Sequence, residues 1–129
     1  MAADESYPDD LLYHPEHDWA RIDGGEATFG ITWYAQDSLG DVVVFLPPTV
    51  GQQVTAGQEY GELESVKAVS GIITPLAGEV IEVNQAVVET PELVNEDPYG
   101  AGWLIRVRLA APGDRGGLLE VDAYRATLS

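Results

Sequence analysis

In "GWLIRVRL" (Gly102–Leu109) apolar and charged positions alternate, with Ile105, Val107 and Leu109 on one face and Arg106 and Arg108 on the other. That period of two predicts a strand with one buried side. "HDWARI" and "EATFGI" read as two more short strands around the turn "DGG" at Asp23–Gly25, a β-hairpin by its turn chemistry. "VVVFL" (Val42–Leu46) is a candidate buried strand, stopped by Pro47 and Pro48. Between Val50 and Asn84 the chain is all short strands and glycine turns. "TAGQE" and "LAGEV" there place Gly57 and Gly78 almost equally far from Lys67, which suggests two similar arms folded about a central hairpin.

Helical signals are fewer. In "TWYAQDSLG", Thr32 can cap the first turn, Trp33, Tyr34 and Leu39 can supply an apolar stripe, and Gly40 can end the helix with positive φ. "TPELVNEDPYG" (Thr90–Gly100) is turn-rich with room for one helical turn. "LLEVDAYRATL" has helical spacing at Leu118, Val121 and Leu128, predicting a C-terminal helix over 117–128. The expectation is one mostly β domain over 1–129 with short helices and a flexible stretch at 1–10.

Charge changes this picture more than composition does. Apolar residues make up 45% of the 129, enough for a real core, but 22 acidic residues against 6 basic ones leave a formal charge of −16. Phosphate backbones and anionic membrane surfaces would be repelled, so neither nucleic acid nor membrane is an expected partner. The charge suits rapid encounter with partners that carry basic patches. Cysteine is absent, which excludes disulfides, thiolate catalysis and cysteine-bound zinc. "MAADESYPDD" has neither the basic nor the apolar region of a secretory signal, and no stretch approaches a membrane span; a cytoplasmic location is expected.

Enzyme-like constellations are weak. His14 and His17 have H-x-x-H spacing, but Pro15 interrupts any helix and no third ligand is evident. "GDRGG" lacks the lysine and hydroxyl residue of a phosphate loop, and no serine sits in a nucleophile elbow. What remains is Lys67 in "GELESVKAVSG", the one lysine of the chain. It falls among small and β-branched residues between two strand-like arms, where a hairpin tip would display it. A Schiff-base lysine needs an apolar pocket, whereas Glu62 and Glu64 stand close by in sequence. A lysine acylated by another enzyme needs only access, and acylation turns its long side chain into a carrier arm. The plain alternative is a solvated lysine in an arginine-preferring chain.

Several stretches together resemble the glycine cleavage system H protein family: "ESVKA" at Glu64–Ala68, "GDVV" at Gly40–Val43, "GITWYAQ" at Gly30–Gln36, "SGIITPLAGEVIEVN" at Ser70–Asn84 and "PELVNEDPYGAGWL" at Pro91–Leu104. "YHPEHDW" and "LLEVDAYRATL" fit that family's two ends, so the resemblance runs from about Tyr13 to Leu128. It implies a mostly β barrel-sandwich hybrid, like the lipoyl domains, with short helices and a C-terminal helix. It implies lipoic acid bound as an amide to Lys67, with Glu64, Ser65, Val66 and Ala68 as the recognition motif, which would bring in the sulfur that the chain lacks. The family's members are not enzymes but carrier subunits. They pass the aminomethyl group of glycine between glycine decarboxylase and aminomethyltransferase, and are reoxidised by dihydrolipoamide dehydrogenase. A lipoyl-attaching enzyme is a further implied partner.

The resemblance also implies a cleft that shelters the loaded arm, drawing on His17, Asp18 and Gly71. Here the chain departs from the family's pattern: Asp18 stands where Glu is usual, Gly71 and Trp33 where Asp is usual, and Leu46 where Glu is usual. Those departures leave room for an H-like carrier of another pathway, in lipoyl relay or sulfur metabolism. A biotin carrier would show Met on both sides of its lysine, whereas Val66 and Ala68 flank Lys67. An unmodified interaction module binding through its acidic face is the remaining alternative.

Overall fold

A computed structural model describes residues 4–128. Among the described residues, nine strands form two antiparallel sheets, accompanied by four short helices. The larger sheet contains β1 (Leu12–His14), β2 (Asp18–Asp23), β3 (Glu26–Ile31), β5 (Gln53–Val54), β8 (Gly78–Val83) and β9 (Ile105–Leu109), in the order β1-β2-β3-β9-β8-β5. The smaller contains β4 (Val42–Leu46), β6 (Glu59–Ser65) and β7 (Val69–Ile73), in the order β4-β6-β7. Phe29, Ile31 and Val107 of the first sheet and Phe45, Leu63 and Ile72 of the second share one apolar core. This is the expected mostly β sandwich.

The strands follow the pattern that predicted them. In β9 Ile105, Val107 and Leu109 are buried, while Arg106 and Arg108 pair across the strand boundary with Glu82 and Glu79 of β8. The β2–β3 hairpin turns at Gly24 and Gly25, with φ 62° at Gly24. The near-symmetry about Lys67 is real. β6 pairs β7 to make the inner hairpin, and β5 pairs β8 outside it, Val54 opposite Gly78. Gly78 is required there, because a Cβ would lie against the Arg108 carbonyl of the neighbouring strand.

Other expectations are corrected. β4 is an edge strand rather than a buried one: Val42 and Phe45 point inward, but Val43 and Leu46 are about half exposed. Continuous apolar sequence cannot distinguish the two. Helix α1 (Trp33–Leu39) is capped by Thr32, whose Oγ accepts the Ala35 amide at 3.3 Å. Its buried face is Gln36 and Leu39, not the Trp33–Tyr34 stripe, and Gly40 leaves it at φ 86° straight into β4. Helix α2 (Gln85–Glu89) was not anticipated, although Asn84 caps it; α3 (Leu93–Glu96) is the expected single turn. The C-terminal helix α4 spans only Val121–Ala126. Leu119 bridges to Tyr13 beside β1 instead of joining the helix, and Tyr124 is fully buried.

Tyr124 belongs to a second cluster with Leu11, Tyr13, Trp19 and Tyr99. Tyr13 stacks on it at 4.7 Å, and Tyr7 meets its edge at 5.8 Å. Of the stretch at 1–10 expected to be flexible, residues 1–3 lie outside the described residues. Ser6 and Pro8 accept hydrogen bonds from the Tyr99 and Tyr13 hydroxyls. Among the described residues no helix is long and apolar enough to cross a membrane.

Candidate functional site

Lys67 lies at the tip of the β6–β7 hairpin and is exposed, as are Val66 and Ala68 beside it. Ser65 shapes the turn. Its amide donates to the Ala68 carbonyl at 2.8 Å, and its hydroxyl accepts the amides of Lys67 and Ala68 at 3.2 and 3.1 Å. A short hydroxyl side chain is suited to this, since it folds back on the amides two and three residues ahead. The Val66 amide donates to the Asp41 carbonyl at 3.2 Å, tying the tip to the start of β4. The stem of Lys67 crosses Gly40, where a Cβ would come within 3.1 Å of its Cε. Glu64 lies at the end of β6 opposite Val69 and is half-buried.

A groove of about 270 Å³ runs beside this tip, between α1, the start of β7 and the turn before β2. Ala35, Leu39, Ala68 and Val69 give it an apolar lining; Glu16, His17, Tyr34, Ser38 and Ser70 add polar edges. His17 is held firmly. It is the one non-glycine residue with positive φ (76°) among those described, its carbonyl accepts the Thr32 amide, and its ring packs on Tyr34 at 4.6 Å. Its Nδ1 lies 2.8 Å from the Tyr124 hydroxyl, which also lies 2.8 Å from Thr32 Oγ. Burial lowers the His17 pKa against the opposing influence of Glu16, so the ring is neutral at neutral pH. Burial pushes the Tyr124 phenol up to about 12, so it keeps its proton. A second groove, about 330 Å³ among Arg21, Thr28, Trp103 and Arg106, lies on the outer face of the larger sheet, lined by none of the residues around Lys67.

The other two residues named for the sheltering cleft are placed elsewhere. Asp18 is 3% exposed and sits behind the groove, accepting the Ile73 amide of β7 and so linking the two sheets. Burial foremost, and Glu16 next, raise its pKa well above the usual carboxylate range. Nearby Tyr60 has a buried hydroxyl without a hydrogen-bond partner. Gly71 lies on the outer face of β7, where the Glu59 carboxylate occupies the space its side chain would need. Sequence reasoning missed Tyr34, Ser70 and Tyr124 as groove or support residues. Tyr34 and Tyr124 were assigned to helices with their buried sides misjudged, and Ser70 carried no signal beyond strand alternation.

Asp18 yields a measurable expectation. The folded chain holds a proton there that the unfolded chain, with an ordinary carboxylate pKa of about 3.9, has released. Its contribution therefore disfavours folding increasingly as pH rises from about 4 to the raised folded value. Asp18→Asn should stabilise the protein at neutral pH and flatten this part of the profile, read as the difference in melting temperature between wild type and variant across pH. A constant difference from pH 4 to 8 would mean that Asp18 is ionised in the folded chain.

Two sheets sandwiched about one core, presenting a lone lysine on a tight hairpin beside an apolar groove, make the architecture of the lipoyl-carrier class. The family model "Glycine cleavage H-protein" matches residues 11–129, and the chain belongs to that family. It is 54% identical over 121 residues to the glycine cleavage system H protein of Rubrobacter xylanophilus, covering 94% of each chain. It is 52% identical over 124 residues to that of Beutenbergia cavernae, covering 96% of this chain and 98% of the relative. The crystal structure of a glycine cleavage system H protein from Mycobacterium marinum superposes with a TM-score of 0.89 at 40% identity, covering 95% and 98% of the two chains.

Proposed function

We propose that this chain is the lipoyl carrier of glycine cleavage, with lipoic acid joined through an amide to Lys67 and the aminomethyl group of glycine as its cargo. The observation that carries the reading is the exposed Lys67 on a turn stapled by Ser65, within a chain whose relatives are H proteins throughout its length. The site fits the group. A long methylene arm ending in a dithiolane matches the apolar lining of the groove beside the attachment point, and the chain has no cysteine and so no thiol of its own. When bound, the lipoyl group supplies the redox sulfur and the point at which a one-carbon amine unit is held.

The protein's own part is presentation and shelter. The hairpin offers the Lys67 amine to an attaching enzyme, and Ala35, Leu39 and Val69 give the arm an apolar surface to lie along. Neutral His17, with Nδ1 engaged by Tyr124, is positioned to exchange a hydrogen bond with an amine-bearing arm end. Asp18 is buried with its carboxyl on the Ile73 amide and Gly71 has no side chain, so neither lines the groove, whose carboxylate is that of Glu16. The partners are glycine decarboxylase, aminomethyltransferase, dihydrolipoamide dehydrogenase and a lipoyl-attaching enzyme. Their encounter is favoured by the charge of −16 if their docking faces are basic. The chain itself is a carrier rather than a catalyst.

The test is reconstitution. Incubated with lipoate, ATP and a lipoate–protein ligase, the chain should gain one lipoyl group, mapped to Lys67 by peptide mass. The modified form should then support exchange of labelled carbon dioxide into glycine by glycine decarboxylase. Attachment without exchange would move the chain to a carrier role in another pathway.

A further inference from the structure

Asn95 lies in α3, far from the tip in sequence, yet its side chain reaches the segment on which the tip rests. Its Oδ1 accepts the Val42 amide at 2.9 Å, and its Nδ2 donates to the Gly40 carbonyl at 2.9 Å and to Gln36 Oε1 at 3.0 Å. Gln36 in turn donates to the Trp33 carbonyl at 3.0 Å, within α1. Asn95 is 6% exposed and Gln36 2%, so neither amide has water as an alternative partner. The bonds to Gly40 and Val42 grip the backbone on both sides of Asp41. Asp41 is the residue whose carbonyl receives the Val66 amide, and Gly40 is the residue over which the Lys67 stem lies.

Apolar side chains at positions 36 and 95 would spare the desolvation of two amides but would leave the Val42 amide and the Gly40 carbonyl without these partners. An amide pair here instead fixes direction. Gly40 has φ 86°, a conformation that leaves the α1–β4 junction free to turn unless something holds its carbonyl. We propose that Asn95 and Gln36 form a buried clamp that orients the Asp41 carbonyl, and through it Val66 and Lys67, so that both are positioning residues for attachment of the arm. The proposal rests on the reading of Lys67 as the attachment site. It makes presentation of the hairpin depend on the packing of α3 against α1, not on the turn residues alone.

The discriminating variant is Asn95→Asp, which keeps size, shape and the acceptor for Val42 but replaces the two donated hydrogen bonds with oxygens facing Gly40 and Gln36. Gln36→Met removes the partner amide while preserving bulk, and serves if the first variant does not fold. Val54→Ala, which leaves a hole under β5, a strand that pairs with β8 and with none of the clamp's elements, controls for loss of stability. Two measurements are made: amide hydrogen exchange at Val66 with Val107 of β9 as internal reference, and kcat/KM for lipoyl attachment. In the clamp variants Val66 should exchange at least 10-fold faster relative to Val107, and kcat/KM should fall at least 10-fold. In Val54→Ala both ratios should stay within about twofold of wild type. Equal acceleration at Val66 and Val107, or attachment kinetics unchanged in a folded clamp variant, would overturn the proposal. If the wild type takes no lipoyl group at Lys67, the carrier reading fails, and the exchange ratio still decides whether the clamp orients the tip.

Discussion

Lys67→Arg is expected to leave the fold and its melting temperature unchanged and to abolish lipoyl attachment completely. Both side chains are long, flexible and cationic, and the position is exposed, so the folded state loses no buried contact. A guanidinium stays protonated in proteins and cannot act as the attacking amine in amide formation. With no second lysine in the chain there is no neighbouring site to substitute. Intact mass after incubation with ligase, lipoate and ATP gives the answer directly. A variant that still gains the full lipoyl mass would place the modification elsewhere and remove the basis of the carrier assignment.

The second large effect lies in the fold. Trp19→Ala is expected to cost about 3–5 kcal/mol, a substantial part of the 5–15 kcal/mol that holds a typical domain together. Trp19 is fully buried on β2, donates its indole N–H to the Pro98 carbonyl at 3.0 Å, and fills the space over Gly30 of β3 so closely that a Cβ there would lie 2.6 Å from its ring. Arg21 covers the ring from outside at 5.0 Å. Urea unfolding should show a markedly lower midpoint with an unchanged slope. A loss below about 1 kcal/mol would mean that the Tyr99 loop collapses into the hole.

The parts legible in the sequence were those governed by local rules. Alternation gave β9, glycine turns gave the β2–β3 hairpin and the paired arms, and Thr32 and Gly40 bounded α1 correctly. Lys67 could be singled out because it has no rivals. Errors arose where burial depends on partners distant in the chain. Val42–Leu46 is as apolar as a central strand, but nothing local says that one side of β4 lacks a neighbour. Tyr124 stands outside the Leu118–Val121–Leu128 spacing that predicted its helix, because the partners it meets, Tyr13, His17 and Thr32, are distant in the chain. Asp18 and Gly71 were named from the resemblance alone, not from any local rule. One is buried behind the groove, and the other faces outward under Glu59.

The place of β9 has a consequence for how the chain is made. It is the last strand to be synthesised, yet it lies between β3 and β8, with Phe29 opposite Ile105 on one side and Val80 opposite Val107 on the other. A chain leaving the ribosome can form the β2–β3 and β6–β7 hairpins early, because their contacts are local. The two halves of the larger sheet cannot join until residues beyond 104 emerge. Tyr124, which fixes His17 and so one wall of the groove, arrives later still. The lysine hairpin therefore rests on local contacts alone, while one wall of the groove beside it depends on a residue near the end of the chain.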